Sequence, residues 1–252
     1  MRTTHRPNDP ASTNASTGTT HDTGTRQDAG TSHEPDTTTH AAAAPARGRG
    51  GSILASRPLM GWRTVDLLTI AFLGVAFGIA YWGYDAFYNG PISLLKIGFL
   101  PAWGLFAGPW FMAGVVGGLV VRRPGAAFLC EVVAAVVSMV PGNAYGATTL
   151  VSGILQGIGA EVAFALLGYG MYGIVAAVLA GALSAPLEAA YEWTTWTKDW
   201  PWDSKLLYLG AMVLSGAVIA GGVGWLLTRA LARTGALSSF PPGFELRDSR
   251  SA

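Results

Sequence analysis

The feature that most constrains this chain is an apolar run at residues 147–169, ATTLVSGILQGIGAEVAFALLGY, which carries two polar side chains. At about 1.5 Å per helical residue, a run of this length crosses the hydrocarbon core of a bilayer, which is about 30 Å thick. A charged side chain that faces lipid at that depth costs on the order of 2.5–3.5 kcal/mol, so Gln156 and Glu161 must face protein or water. Gly153 and Gly157 let another helix approach this polar side closely. The run therefore predicts a helix at the centre of a bundle with a polar interior.

Six apolar runs of this kind predict an all-α integral membrane protein built as a six-transmembrane-helix bundle. The composition agrees, because 50% of the residues are hydrophobic and only 12% are charged, against about 25% charged residues in soluble domains. The predicted spans are residues 65–84, 98–121, 124–141, 147–168, 171–190 and 205–229. The sequence PGNAYG at residues 141–146 predicts a tight turn between the third and fourth spans. The stretch 91–101 is predicted as either a short interfacial segment or a re-entrant one.

The two ends of the chain have a different composition from the membrane domain, which we place at residues 58–233. Residues 1–57 are rich in Thr, Ser, Asp, Ala and Gly and contain almost no large apolar side chains. Such a stretch cannot bury enough surface to offset its chain entropy, so it is predicted to be a disordered tail. Residues 234–252 are predicted to be a flexible C-terminal tail. All four histidines of the chain lie in the first tail: His5, His21, His33 and His40.

The placement of arginines predicts the orientation of the bundle. Arginine pairs flank the first span, the connection between the second and third spans, and the end of the sixth span: Arg57 and Arg63, Arg122 and Arg123, Arg229 and Arg233. With six spans, these three positions fall on one side, which the positive-inside rule makes cytoplasmic. We therefore expect a multi-pass protein of the cell membrane with both termini in the cytoplasm.

The outer ends of the spans combine aromatic and acidic side chains. Trp82 and Tyr84 end the first span, Asn143 and Tyr145 lie in the turn after the third, and Glu188 ends the fifth. Aromatic faces and carboxylates together suit a flat ligand that is cationic or carries an amine. The alternative is an ordinary belt of interfacial aromatic residues, which membrane proteins have whatever their function.

Two polar residues lie deeper in the predicted bundle. Counted inward from the outer turn, Glu131 and Gln156 each lie roughly nine residues, or about 13 Å, below the outer end of their spans. Both could reach one central layer, either as the floor of a substrate cavity or as partners in interhelical hydrogen bonds. For Glu161, one turn further toward the cytoplasm, we favour a structural role.

Small residues repeat at helical spacing in several spans, among them Gly74-x-x-x-Gly78 and Ala76-x-x-x-Ala80 in the first. Such spacing usually serves packing within a bundle. The stripe in the first span could instead contact a partner membrane protein.

Several classes of function are disfavoured by what the sequence lacks. The chain has no Gly-x-x-x-x-Gly-Lys-Ser/Thr phosphate loop, so we do not expect it to hydrolyse nucleotides by itself. No histidine lies in the spans to serve as a metal ligand or catalytic base, which argues against an intramembrane enzyme. The net charge of +1 carries no signal for nucleic acid. We expect no metal and no cofactor.

A set of short motifs resembles the YkoE family. The residues that carry the resemblance are Tyr81-Trp82-Gly83-Tyr84, Arg123-Pro124-Gly125-Ala126-Ala127, Gly142-Asn143, Tyr145-Gly146, Gln156-Gly157, Gly159-Ala160-Glu161 and Phe164-Ala165. YkoE proteins are substrate-capture (S) components of energy-coupling-factor (ECF) transporters, a class of ABC importer, and are associated with thiamine and its hydroxymethylpyrimidine precursor. The resemblance covers about residues 66–229.

This resemblance implies a six-helix S component that takes a vitamin from outside. A transmembrane coupling subunit and two ATPase subunits would supply the energy. In related S components an Ala-x-x-x-Ala in the first helix contacts the coupling subunit, and Ala76 and Ala80 are the matching residues here.

The resulting prediction is a substrate-binding subunit for thiamine or hydroxymethylpyrimidine, and not an enzyme. Trp82 and Tyr84 are expected to stack on the ring, while Asn143, Tyr145 and Gln156 would hydrogen-bond its edge. Glu131 or Glu188 would pair with an amine or with the thiazolium. The alternatives are an S component for another vitamin, a self-sufficient secondary transporter and, least favoured, an intramembrane enzyme.

Overall fold

A computed structural model describes residues 61–94 and 100–251, and in these residues all regular secondary structure is helical. The predicted disordered tail at residues 1–57 lies outside the described residues. The α-helices are α1 (Thr64–Asn89), α2 (Pro91–Leu94), α3 (Met112–Val121), α4 (Ala126–Met139), α5 (Thr148–Leu166), α6 (Ile174–Thr195), α7 (Trp202–Ser215), α8 (Gly224–Arg233) and α9 (Pro241–Ser251). Two 3-10 helices, Leu100–Phe106 and Gly108–Phe111, precede α3, and a π-helical segment, Gly216–Val223, joins α7 to α8.

Five helical segments are long and apolar enough to cross a membrane. They are Thr64–Ile92, Leu100–Val121, Thr148–Leu166, Ile174–Thr195 and Trp202–Arg233. Helix α4 is apolar but has only 14 residues, which corresponds to about 21 Å at 1.5 Å per residue. It lies between α1 and α5 and packs on both. The structure therefore gives an all-helical membrane protein with five candidate spans, and the count of six spans stays a prediction.

Two helices extend further than the apolar runs predict. Helix α1 continues to Asn89 instead of ending near residue 84, and α6 continues to Thr195 instead of ending near residue 190, in spite of Pro186 inside it. In both helices the added turns carry polar residues whose side chains face the interior of the bundle, such as Asp85. An apolar run marks where lipid contact ends, whereas the backbone hydrogen bonds of a helix continue wherever protein covers the polar face.

The second apolar run does not form one regular helix. Its first half consists of the two 3-10 helices, which pack against the last membrane segment. Gly108 N donates to Ser215 Oγ over 2.9 Å, and the same hydroxyl donates to the carbonyl of Leu105. This serine therefore joins the irregular half of the second segment to the end of α7.

The start of α4 is held by a carboxylate from another helix. Glu161 of α5 accepts hydrogen bonds from the backbone N–H groups of Gly125, Ala127 and Phe128 at 2.6, 3.1 and 3.2 Å. It also accepts one from the Tyr169 hydroxyl at 2.8 Å. A carboxylate at a helix N-terminus satisfies N–H groups that have no partner inside the helix and interacts favourably with the helix dipole. This geometry agrees with the structural role favoured for Glu161.

Glycines bring the central helices into backbone contact. A Cβ atom on Gly181 of α6 would overlap the carbonyl oxygen of Gly216 in the last membrane segment, and one on Gly216 would overlap that of Gly181. In α1, Gly74 and Gly78 pack in the same manner against Val133 and Val137 of α4. The glycine spacing of the first run thus serves packing within the bundle.

The end of the chain contains a helix that the sequence patterns did not predict. Helix α9 lies in the segment 234–252, and the Arg122 guanidinium pairs with both carboxylate oxygens of Glu245 on that helix. Leu237 and Phe240, which precede it, are buried in a hydrophobic cluster with residues of α3 and α4. The flexibility expected of this segment stays a prediction.

Candidate substrate-binding site

A cavity of about 100 Å³ lies at the end of the bundle where α1 and α6 end and where α5 and α7 begin. We call it the acidic cavity. Its walls come from α1, the second apolar segment, and α4 to α7. The lining residues are Tyr81, Asp85, Tyr88, Trp103, Ala107, Trp110, Phe111, Glu131, Ala135, Ser138, Tyr145, Thr148, Thr149, Ser152, Gly153, Gln156, Glu188, Glu192, Trp196, Tyr208 and Met212.

The floor of the cavity is organised around Glu131, which is 1% exposed. Its Oε2 accepts hydrogen bonds from Gly114 N at 2.6 Å and from the Tyr81 hydroxyl at 3.3 Å. The Tyr81 hydroxyl in turn accepts from Ala113 N at 2.8 Å, which fixes its direction. The other carboxylate oxygen, Oε1, is buried and has no hydrogen-bond partner within residues 61–94 and 100–251. One half of this carboxylate is therefore anchored, and the other half is unsatisfied.

Two glutamates one turn apart on α6 form a wall of the cavity. Glu188 and Glu192 lie at i and i+4, so both side chains point from the same face of the helix. Glu188 is within hydrogen-bonding reach of Ser152 and Gln156 on α5, and Glu192 is within reach of Tyr208 on α7. Oxygen Oε2 of Glu188, like Oε1 of Glu131, is buried and has no hydrogen-bond partner in the part of the chain that the structure describes.

Aromatic rings form the rim of the cavity. The Trp110 indole packs edge to face against Tyr88 and Tyr145, with centroid distances of 5.1 and 6.3 Å, and Tyr145 contacts Trp196 at 6.0 Å. Trp110 Nε1 also donates to Asp85 Oδ1 over 3.0 Å. Burial raises the pKa of Tyr145, in the turn between α4 and α5, to about 12, so its hydroxyl remains protonated near neutral pH.

The charged side chains that line the acidic cavity are all acidic. Four carboxylates line the cavity, Asp85, Glu131, Glu188 and Glu192, and no Lys, Arg or His is among the described residues that line it. Aromatic faces attract cations through the ring quadrupole, and buried carboxylates require a cationic or hydrogen-bonding partner. The cavity is therefore built for a flat molecule that carries positive charge or several N–H donors.

Four of the seven residues predicted to bind substrate line this cavity: Glu131, Tyr145, Gln156 and Glu188. The structure thus brings together residues of α4, α5, α6 and the α4–α5 turn. Their role in binding stays a prediction.

The other three predicted residues lie outside the cavity lining. Trp82 is 42% exposed and donates from Nε1 to the Gly142 carbonyl over 3.0 Å. The Tyr84 hydroxyl donates to the Phe106 carbonyl over 2.9 Å. Asn143 stabilises the α4–α5 turn, because its Oδ1 accepts from the backbone N–H groups of Tyr145 and Gly146. These contacts hold the rim in place without exposing the side chains to the cavity.

Sequence reasoning left several lining residues out of the predicted set, among them Asp85, Tyr88, Trp110, Glu192, Trp196 and Tyr208. Helical spacing was a usable signal for Asp85 and Glu192, which lie four residues after Tyr81 and Glu188. No such signal existed for Trp110, because its direction depends on the 3-10 geometry of Gly108–Phe111.

The predicted partner-binding residues, Ala76 and Ala80, are exposed on α1. Exposed apolar side chains lie on the same helix, including Phe72 and Ile79, which are 75% and 60% exposed. This surface is exposed in the described chain and is available to lipid or to a partner.

Comparisons with known proteins point to membrane transport. Residues 65–187 match the family described as the ABC-type cobalt transport system, permease component. A protein of Bacillus subtilis (strain 168) that carries the name HMP/thiamine permease protein YkoE is 29% identical over 191 residues, which cover 75% of this chain and 94% of that protein. In residues 61–94 and 100–251, no group of three or more His, Cys, Asp or Glu side chains is placed so that it could hold a metal ion.

The fold comparison agrees with the sequence comparison. A crystal structure described as an S-component of an ECF transporter matches with a TM-score of 0.69 and 28% identity, over 76% of this chain and 96% of the other. These proteins are transport components and not enzymes, so the expectation that this chain is not an enzyme is confirmed. Together with the five apolar segments, the similarity identifies a multi-pass membrane protein. In sequence and in fold, the chain is similar to YkoE and to an S component of an ECF transporter, which confirms the resemblance that its own motifs indicate.

Proposed function

We propose that this chain is the substrate-binding S component of an ECF-type importer and that it captures thiamine or hydroxymethylpyrimidine from outside the cell. The chain would work with a transmembrane coupling subunit and two ATPase subunits, since its own sequence has no phosphate loop. Similarity to YkoE supports the choice of ligand, and similarity to a solved S component supports the role.

The observation that carries the proposal is the pair of unpartnered carboxylate oxygens in a cavity with aromatic walls. Oxygen Oε1 of Glu131 and Oε2 of Glu188 are buried and accept no hydrogen bond from any described residue. Leaving a buried acceptor unsatisfied costs about 1–3 kcal/mol. A ligand with an exocyclic amine or a cationic ring relieves that cost at both glutamates, while the rings around Trp110 contact its flat faces.

The same proposal orients the bundle in the membrane. The short helix α4 would cross as the third of six spans, since both of its neighbours, α1 and α5, are long enough to span. From the arginine positions we expect both termini in the cytoplasm and the acidic cavity toward the outside.

The test is a titration of the purified protein in detergent with thiamine and with hydroxymethylpyrimidine, followed by tryptophan fluorescence. Trp103, Trp110 and Trp196 line the cavity, so a ligand bound there changes the environment of three indoles. We expect saturable quenching by one of the two compounds without any nucleotide.

Two comparisons make the titration decisive. Cobalt chloride at the same concentrations is the control for a metal ligand, and it should produce no saturable change. The absence of a response to both pyrimidine compounds, in protein that remains folded and monodisperse, would overturn the ligand assignment.

A further inference from the structure

A second cavity, of about 400 Å³, lies at the opposite end of the bundle, and we call it the C-terminal cavity. It is enclosed by the end of α3, by α8 and by α9, with Tyr172 from the α5–α6 turn. The arginine pattern predicts that this end faces the cytoplasm. The acidic cavity shares no lining residue with it.

Tyr172 lines this cavity and carries an unused hydrogen-bond donor. The side chain is 3% exposed, and its hydroxyl is buried with no hydrogen-bond partner among the described residues. The ring is stacked on Phe164 at 5.5 Å and lies under the Arg122 guanidinium at 5.1 Å, so it cannot turn away. Burial raises the pKa of Tyr172 to about 12, which keeps the hydroxyl protonated. A buried donor in this state is stabilised by an acceptor on a bound molecule.

The charges of the cavity lining are balanced. Arg122 and Arg229 contribute two positive charges, and Glu245 and Asp248 of α9 contribute two negative ones. Arg122 is occupied by its bidentate pair with Glu245 and by its Nε–H bond to the Leu119 carbonyl. Arg229 is exposed and lies over the Trp225 ring at 4.8 Å. A ligand therefore meets a guanidinium and a phenol on one side and carboxylates on the other, which fits a zwitterion better than an anion.

The cavity also has an apolar part. Leu119, Ala232 and Leu246 line it. Trp225 beside Arg229 is the combination of residues that anchors helices at a membrane interface. The ligand should therefore carry an apolar chain as well as a zwitterionic group.

From these observations we propose that the C-terminal cavity binds a phospholipid of the cytoplasmic leaflet with a phosphoethanolamine headgroup. The phosphate would accept from the Tyr172 hydroxyl and from Arg229, the ammonium would face the carboxylates of Glu245 and Asp248 on α9, and an acyl chain would lie against Leu119, Ala232 and Leu246. Pockets between helices on the cytoplasmic side of a membrane are a common place for lipid headgroups. This inference does not depend on which molecule the acidic cavity takes.

The experiment uses the full chain, delipidated in detergent, and native mass spectrometry with added phosphatidylethanolamine, phosphatidylglycerol or phosphatidylcholine of identical acyl chains. We expect preferential retention of one phosphatidylethanolamine. Tyr172→Phe, which keeps the stacked ring and removes only the hydroxyl, should weaken that retention about tenfold, the usual size of a hydrogen bond to a charged group. Arg229→Gln should weaken it by a similar factor.

Tyr169→Phe is the matched control, because this neighbouring hydroxyl already bonds to Glu161 at 2.8 Å. It should lower thermal stability without changing lipid retention. Equal retention of the three lipids, or preference for phosphatidylglycerol, would overturn the assignment. So would a Tyr172→Phe protein that is more stable than the parent and retains phosphatidylethanolamine unchanged, since the hydroxyl would then be only an unsatisfied group. Displacement of the lipid by soluble phosphoethanolamine at equal concentration would show that the acyl chain takes no part, and would overturn the lipid assignment.

Discussion

At the scale of single residues, three buried or half-buried glutamates differ in how fully their carboxylate oxygens are hydrogen-bonded. The carboxylate of Glu161 accepts four hydrogen bonds at the start of α4. Glu131 and Glu188, in the acidic cavity, each have one carboxylate oxygen with no hydrogen-bond partner among the described residues. A saturated carboxylate stabilises the fold, whereas a half-satisfied one in a cavity is stabilised further by a ligand.

We predict that Glu188→Gln weakens thiamine binding by at least about 2 kcal/mol, or roughly 30-fold, because it removes one partner of a buried charge pair. Binding of the less charged hydroxymethylpyrimidine should fall by a smaller factor. Tryptophan quenching titrations measure both affinities. Glu245→Gln makes the same chemical change outside the acidic cavity and should leave them unchanged. Equal losses for the two glutamine variants would contradict a role for Glu188 in the site.

We predict that Glu161→Gln destabilises the protein by about 1–2 kcal/mol, because it removes the charge that caps α4 and replaces one acceptor oxygen by a donor. The thermal unfolding midpoint in detergent should fall, while the folded protein should bind its ligand with unchanged affinity. A loss of affinity at an unchanged midpoint would show that Glu161 acts in binding and not in the fold.

At the scale of elements, α6 and the last membrane segment approach so closely that only glycine, which has no side chain, fits at the contact. The backbone of Gly181 touches that of Gly216, where the π-helical segment Gly216–Val223 begins. Because α6 carries Glu188 and Glu192 and α7 carries Tyr208, this contact sets the width of the acidic cavity.

We predict that Gly181→Ala destabilises the protein by about 3 kcal/mol, since backbone atoms block the added methyl group and the helices must separate. Gly210→Ala is the control, because no atom lies within 4 Å of a Cβ built at that position of α7. Alanine there should be neutral or stabilising by up to about 1 kcal/mol. Thermal unfolding and size-exclusion profiles compare the two. Similar behaviour of both variants would refute the close contact.

At the scale of the whole molecule, small residues of α1 lie on an exposed face of the described chain. Ala76 and Ala80 are exposed on α1, whereas Gly74 and Gly78 of the same helix pack on α4. In the proposed importer, this alanine face is where the coupling subunit docks.

We predict that Ala76→Leu with Ala80→Leu abolishes co-purification with the coupling subunit and vitamin uptake by cells, and leaves ligand binding by the isolated chain intact. Bulky side chains prevent the close helix approach that small residues allow. Ala71→Leu is the control, because Ala71 is exposed on the same helix but points about 140° away from Ala76. Normal assembly of the double variant would remove these alanines from the interface.

The sequence by itself determined that this is a helical membrane protein with a polar interior. It also identified four residues that line the acidic cavity: Glu131, Gln156, Glu188 and Tyr145. These inferences depend on the cost of placing polar groups in lipid, which is large and acts on each segment separately. The motifs of the membrane domain also indicated the family that the comparisons then supported.

Only the tertiary structure decided which side chains meet. Trp82 and Trp110 are both aromatic residues of apolar segments, yet one donates to a turn outside the cavity and the other forms its rim. Helix α9 docks through the Arg122–Glu245 pair, although its own sequence carries no strong apolar pattern. Helix rotation, 3-10 and π-helical segments and the ends of α1 and α6 depend on contacts between distant residues. A local pattern holds no information about such contacts, because their energies exist only once the helices are packed.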